Sequence, residues 1–261
     1  MIRTGQQYKD SLGSGRDIYV NGERVRDVVT HPMFKPMIDV RARIYDMQHD
    51  PATAHRLTYH EGEETSAIAN KLPLVQSDWW DKRRATDTIL DAVGGIVTRV
   101  GDETVGEMWS LFDGPDILNE VDPQFSVNIR NHIQQVLHAD PFHVSANTDP
   151  KGDRSKHPQE QHPDMLLHVV RETDAGIIVR GAKFETAAPY ANHAFTKPTI
   201  VNWGEEAYSD YAVGFICDLS SPGIKFICRT GFAGRGTVED YPLSNRFDEI
   251  DALVVFDYVL I

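Results

Sequence analysis

Arg171-Glu172-Thr173-Asp174-Ala175-Gly176-Ile177-Ile178-Val179-Arg180-Gly181-Ala182-Lys183 sets two extended runs on either side of an Asp-Ala-Gly turn. Such a pair predicts a β-hairpin. Upstream lies Phe142-His143-Val144-Ser145-Ala146-Asn147-Thr148-Asp149-Pro150-Lys151-Gly152-Asp153-Arg154, rich in small and turn-forming residues. Backbone amides in such a loop can come close to a flat or anionic ligand.

Outward from the hairpin, the chain after residue 141 reads as extended segments at 165–171, 176–184, 195–202, 211–218, 224–229 and 253–260, separated by turn residues such as Ser221-Pro222-Gly223. Short strands at this spacing predict a β-barrel or sandwich rather than an alternating α/β sheet. Before residue 140 the pattern is helical. Residues 77–97 carry Trp80, Arg84, Ile89, Ala92 and Val93 near a 3.6 period, with Ser77 or Asp78 as cap, and residues 124–139 place Phe125, Ile129, Ile133, Val136 and Leu137 on one face. Further helices are expected at 8–12, 31–50 and 101–111, and Asn21-Gly22 predicts a tight hairpin. The expectation is an α+β chain with a helical domain over 1–140 and a β-domain over 141–261.

The 261 residues, 41% hydrophobic, suffice for a real core, and the net charge of -13 opposes a polyanion-binding surface. With only Cys217 and Cys228, neither a disulfide framework nor a cysteine-rich metal site is indicated. His138, His143, His157, His162 and His168 match no metal-ligand spacing, so no metal is expected. No segment approaches the roughly 20 apolar residues of a membrane span, and a cytoplasmic protein is expected. Phe256-Asp257-Tyr258-Val259-Leu260-Ile261 stops on an apolar strand, which suggests that a C-terminal portion is missing.

Four blocks resemble the flavin-dependent aromatic hydroxylases typified by the large component of 4-hydroxyphenylacetate 3-monooxygenase. They are Met1-Ile2-Arg3-Thr4-Gly5, Asp149-Pro150 with Asp153-Arg154, the hairpin from Glu172 to Lys183, and Tyr241-Pro242-Leu243-Ser244-Asn245-Arg246-Phe247-Asp248-Glu249. Phe256 through Ile261 also fits. The resemblance implies an acyl-CoA-dehydrogenase-like fold of an N-terminal helical domain, a middle β-barrel domain and a C-terminal helical bundle, the last absent here. It implies two-component chemistry: a separate flavin reductase supplies reduced FAD, which with molecular oxygen gives a flavin 4a-hydroperoxide that hydroxylates a small aromatic substrate. It also implies a homotetramer.

By the same resemblance Ser145, Ala146, Asn147, Lys151, Gly152, Asp153 and Arg154 would contact flavin, Arg154 foremost because a guanidinium matches a pyrophosphate. A threonine that bonds the flavin ring aligns with Ala187, with Thr186 beside it. Arg99, Glu103, Thr199 and Ile200 fall at substrate positions, and the family histidine facing the phenol oxygen aligns with Ser145, with His143 two residues earlier. Glu103 stands where the family has tyrosine. It either favours a substrate with an amine or a removable proton, or pairs with Arg99 to structure a helix start. The iron-sulfur branch of the family needs cysteines near Arg99 to Glu103, and none is there. Two alternatives stay open: a flavin enzyme acting on an acyl-CoA thioester, and a non-catalytic fragment or interaction module.

Overall fold

The computed structural model describes the chain apart from residues 14, 97–102, 154, 200–203 and 233–235 and the side chains of residues 103 and 104. The helices are α1 (Gly5–Ser11), α2 (Lys35–Met47), α3 (Ala54–Leu57), α4 (Gln76–Val93), α5 (Glu103–Asp113), α6 (Pro115–Val121), α7 (Pro123–Ala139) and α8 (Ser244–Phe247). The strands are β1 (Asp17–Val20), β2 (Glu23–Val25), β3 (Thr58–Glu61), β4 (Glu64–Ala67), β5 (His143–Ser145), β6 (His168–Thr173), β7 (Gly176–Thr186), β8 (His193–Thr196), β9 (Phe215–Asp218), β10 (Ile224–Cys228) and β11 (Asp251–Leu260). The chain is α+β. Two compact units emerge, one of residues 1–11 and 39–141, the other of residues 12–38 and 142–261. The division expected at residue 140 therefore differs in the segment 12–38, which groups with the strands because β1 pairs in parallel with β10, Ile18 opposite Phe226.

In the helical unit, Ala85, Ile89 and Val93 line one stripe of α4 and pack with Ile44, Met47, Leu57 and Ile68. Four-residue spacing brings these side chains onto one face. The start of α4 is held by Asp78, whose carboxylate accepts from the amides of Leu74 (2.9 Å) and Val75 (3.1 Å) and pairs with Lys71 at 2.6 Å. The helix stops four residues short of the sequence expectation, because Gly94 takes a left-handed φ of 83°. At α7, the Asp122 side chain accepts from the Gln124 amide at 2.8 Å, and Asp140 closes the helix at φ 45°. Asp140 is buried, and its carboxylate accepts from Gln48 Nε2 (2.9 Å) and Asn70 Nδ2 (2.8 Å) while its carbonyl accepts from the Tyr45 hydroxyl (3.0 Å). The β3–β4 hairpin and α6 have no counterpart in the sequence reading.

In the other unit a six-stranded sheet runs β2-β1-β10-β11-β7-β6 and a three-stranded sheet runs β5-β8-β9. Among the described residues these are two open sheets, not the closed barrel that was expected. Ile18, Val179, Phe226, Val254 and Phe256 are buried, and each such side chain contributes roughly 1.5–3 kcal/mol when withdrawn from water. The β1–β2 hairpin turns at Asn21 and Gly22, with φ 52° and 81°, the two positive angles that a type I′ turn demands. β7 joins β6 through Asp174-Ala175 and carries a very tight approach at Gly181. There φ is 121° and the Leu166 carbonyl occupies the space a Cβ would need, so only glycine fits. On β11 a bulge sets Asp257 and Tyr258 in the interval between Phe256 and Val259, and the Tyr258 hydroxyl accepts from Arg180 at 2.7 Å. No helix among the described residues is long and apolar enough to cross a membrane.

Candidate functional site

The loop between β5 and β6 is built onto β7. The amide of Phe184 donates to the Thr148 carbonyl at 2.7 Å, which fixes the register of the loop against the strand. One residue earlier, Lys183 points the other way and is buried. Its ammonium donates to the Asn147 carbonyl (3.2 Å), the Asp149 carboxylate (2.6 Å) and the Lys197 carbonyl (3.0 Å). Burial pulls this ammonium below the ordinary lysine range, and Asp149 beside it opposes the shift. The second oxygen of Asp149 accepts from the Thr199 hydroxyl at 2.6 Å, and Asn147 Oδ1 accepts from the Lys197 amide at 3.1 Å. Two chain segments, 147–149 and 197–199, are thereby joined.

These segments wall a cavity of about 540 Å³, whose further lining includes Lys151, Gly152, Asp153, His157, Met165 and Tyr208. The size is that of a small-molecule pocket. Hydrogen bonds from the Ser155 hydroxyl and amide hold the Asp153 carboxyl below the usual carboxylate range. Gln161 bridges the loop, its Oε1 accepting from the Asp153 amide at 3.2 Å and its Nε2 donating to the Asp153 carbonyl. Across the cavity, Tyr208 Oη and His157 Nδ1 lie 2.8 Å apart. Lys151 and Lys156 are exposed, so the lining combines cations and polar donors with the carboxylates of Asp149 and Asp153 and the apolar Met165 and Leu166.

Of the residues expected at a flavin or substrate, Lys151, Gly152, Asp153 and Thr199 line this one cavity. Asn147 supports its wall through Lys183 and Lys197. Ser145 and Ala146 are buried at the end of β5, where Ser145 sits opposite Phe195. His143 is buried two residues earlier with its Nε2 3.2 Å from His193 Nδ1, a spacing for one N–H···N hydrogen bond whose direction depends on the tautomer. Thr186 and Ala187 lie at the far end of β7: the Thr186 hydroxyl donates to Asp251 at 2.5 Å, and Ala187 is buried at a left-handed φ of 67°. Glu103 is the first residue of α5. Arg99, Arg154 and Ile200 lie outside the described residues.

The sequence reading missed Lys183, Tyr208 and His193 as parts of these arrangements. Lys183 carried a faint signal, a cation on the same strand face as Val179 and Gly181, but alternation alone does not say which face of a strand is buried. The other expected histidines engage separately: His138 lies 3.1 Å from Glu64, and His168 Nδ1 lies 2.9 Å from the Leu166 carbonyl oxygen.

The family described as 4-hydroxyphenylacetate 3-hydroxylase N terminal matches residues 4–261. The chain is 32% identical to the 4-hydroxyphenylacetate 3-monooxygenase oxygenase component of Thermus thermophilus over 100% of this chain and 53% of that protein. It is 34% identical to the oxygenase component of 4-nitrophenol 2-monooxygenase from a Rhodococcus species, over 99% of this chain and 50% of that one. A crystal structure of the oxygenase component of 4-hydroxyphenylacetate 3-monooxygenase complexed with FAD and 4-hydroxyphenylacetate matches with a TM-score of 0.87 at 32% identity, over 99% of this chain and 54% of that chain. The chain thus spans about half the length of the curated relatives it matches. With a match from residue 4 to residue 261, it belongs to the 4-hydroxyphenylacetate 3-hydroxylase N-terminal family.

Proposed function

We propose that this chain works as part of the oxygenase component of a two-component aromatic monooxygenase, using reduced FAD from a separate flavin reductase to place one atom of dioxygen on a phenol-type ring. The observation that carries the reading is the cavity of about 540 Å³ bounded by the Asp149 to Asp153 turn and Thr199. Its donor set fits part of a flavin nucleotide. Lys151 and Lys156 at the edge suit a pyrophosphate, and the Met165 and Leu166 wall suits a flat ring.

A bound reduced flavin supplies the activation of dioxygen. The chain's own residues orient the ring and keep water away from it. Lys151, Gly152 and Asp153, with Ser145, Ala146, Asn147 and Arg154 by family resemblance, hold the cofactor in this proposal. The family resemblance assigns Arg99, Glu103, Thr199 and Ile200 to the aromatic substrate, and His143 or Ser145 to its oxygen. Thr186 would need an arrangement in which its hydroxyl accepts while it donates to Asp251. The finer architecture proposed is acyl-CoA-dehydrogenase-like, with the two open sheets as its middle β-domain, in a cytoplasmic homotetramer.

The test supplies the chain with FAD, NADH and a flavin reductase across a panel of phenols, anilines and pyrroles. Oxygen uptake that depends on the ring compound, with one oxygen from dioxygen in the product, is expected. Bound flavin that yields hydrogen peroxide alone with every compound refutes the proposal.

A further inference from the structure

We infer that Lys183 is the positioning residue of the cavity, a buried cation that holds two loop segments in the one arrangement able to seat the ligand. This rests on the flavin reading of that cavity. The ammonium has three protons and three acceptors, on Asn147, Asp149 and Lys197, so none remains to contact a ligand directly. Its action passes through others. Asp149, gripped by Lys183 on one oxygen, grips Thr199 with the second. Lys197, whose carbonyl is the third acceptor, returns its amide to Asn147 Oδ1. The result is a closed ring of contacts through β7, the 147–149 turn and the 197–199 segment, and Asp149 and Thr199 from that ring line the cavity.

The lysine side chain is only 3% exposed and that of Asp149 17%, so the pair stands in a medium where it is held firmly and where loss of one partner strands the other. Elsewhere the loop leans on contacts at its exposed surface, such as those of Gln161 with Asp153. The Lys183 ring and the Phe184 amide tie the start of the loop to the sheet.

The experiment compares the wild-type chain, Lys183→Met and the double variant Lys183→Met/Asp149→Asn, following FAD by fluorescence anisotropy and visible absorption, and the exchange of backbone amides over residues 147–153. Lys183→Met leaves Asp149 charged and unpaired and is expected to lose stability. The double variant removes that stranded charge and is expected to recover stability. Neither is expected to recover FAD affinity, which should fall about tenfold or more, as when a preorganised wall loses its support. Amide exchange over 147–153 should quicken in both. A double variant that binds FAD as the wild type does, with the same flavin spectrum and unchanged exchange, overturns the inference. If the wild type itself binds no FAD, the flavin reading fails on its own, and the exchange data decide the positioning role: faster exchange upholds it and unchanged exchange overturns it.

Discussion

Lys82 gives the sharpest test of the energetics. It projects from α4 and donates to the carbonyls of Ala69 (2.6 Å) and Ile68 (3.1 Å), and among the described residues no carboxylate pairs with it. Burial, helped by the nearby charge of Lys71 and opposed by Asp78, brings its pKa down from 10.5 to about 8. A lysine whose folded pKa lies below its unfolded one makes the unfolded state the better proton binder between those two values, so stability rises with pH across that window. The contribution is fully present above the unfolded value near 10.5 and is lost as the pH falls through about 8. At about 1.4 kcal/mol per pKa unit, the whole effect is about 3 kcal/mol.

Lys82→Met removes the titrating group while keeping much of the apolar stem against Ile44, Leu57 and Ile89, which line the same small cavity. Urea unfolding of both proteins at steps from about pH 7 to about pH 10, followed by tryptophan fluorescence, isolates the effect. Trp79, Trp80 and Trp109 lie in the same unit as Lys82. Other groups titrate in this range too. Burial pushes the Cys217 and Cys228 thiols up to about 12, which lowers stability as the unfolded-state thiols ionise near 9 and above. Both proteins carry those thiols, so their effect cancels in the difference. Relative to Lys82→Met, the wild type should gain roughly 2–3 kcal/mol over the series, beginning near pH 8. A difference that stays constant across the series would refute the assignment of Lys82 as a half-buried cation at neutral pH.

Asp140→Ala removes the acceptor for Gln48 and Asn70 and puts alanine at φ 45°, and a loss of about 3 kcal/mol is expected by urea unfolding; Asp140→Gly, free of the backbone strain, should recover about 1 kcal/mol of it. Gly181→Ala drives a methyl into the Leu166 carbonyl at φ 121° and should cost at least about 3 kcal/mol, read as a fall in melting temperature. Cys217 and Cys228 are buried with thiols near 12, so the native chain should resist a thiol reagent at about pH 8, whereas both should react in urea; prompt labelling of the native chain would contradict the burial.

What the sequence made legible was local. The 3.6 period of α4 and α7 and the two-residue turns at Asn21-Gly22 and Asp174-Ala175 lie within windows of twenty residues, where chain neighbours decide the outcome. What it hid was non-local. β1 pairs with β10 across some two hundred residues, and β5 has three residues, too few for alternation to show. The candidate site divides in the same way. The Asp149-Pro150 turn and its glycine mark a ligand-approaching loop from composition alone, but the destination of the Asp149 carboxylate is set by a strand 34 residues away. That destination depends on register: the bond from the Phe184 amide to the Thr148 carbonyl places Lys183 on the inner face beside Asp149, and a slip of one residue would turn the ammonium outward and leave the carboxylate without its cation. Gly181 guards against that slip. Only one position on β7 admits the Leu166 carbonyl, so the glycine inside the extended run is the register mark that aims the lysine two residues on.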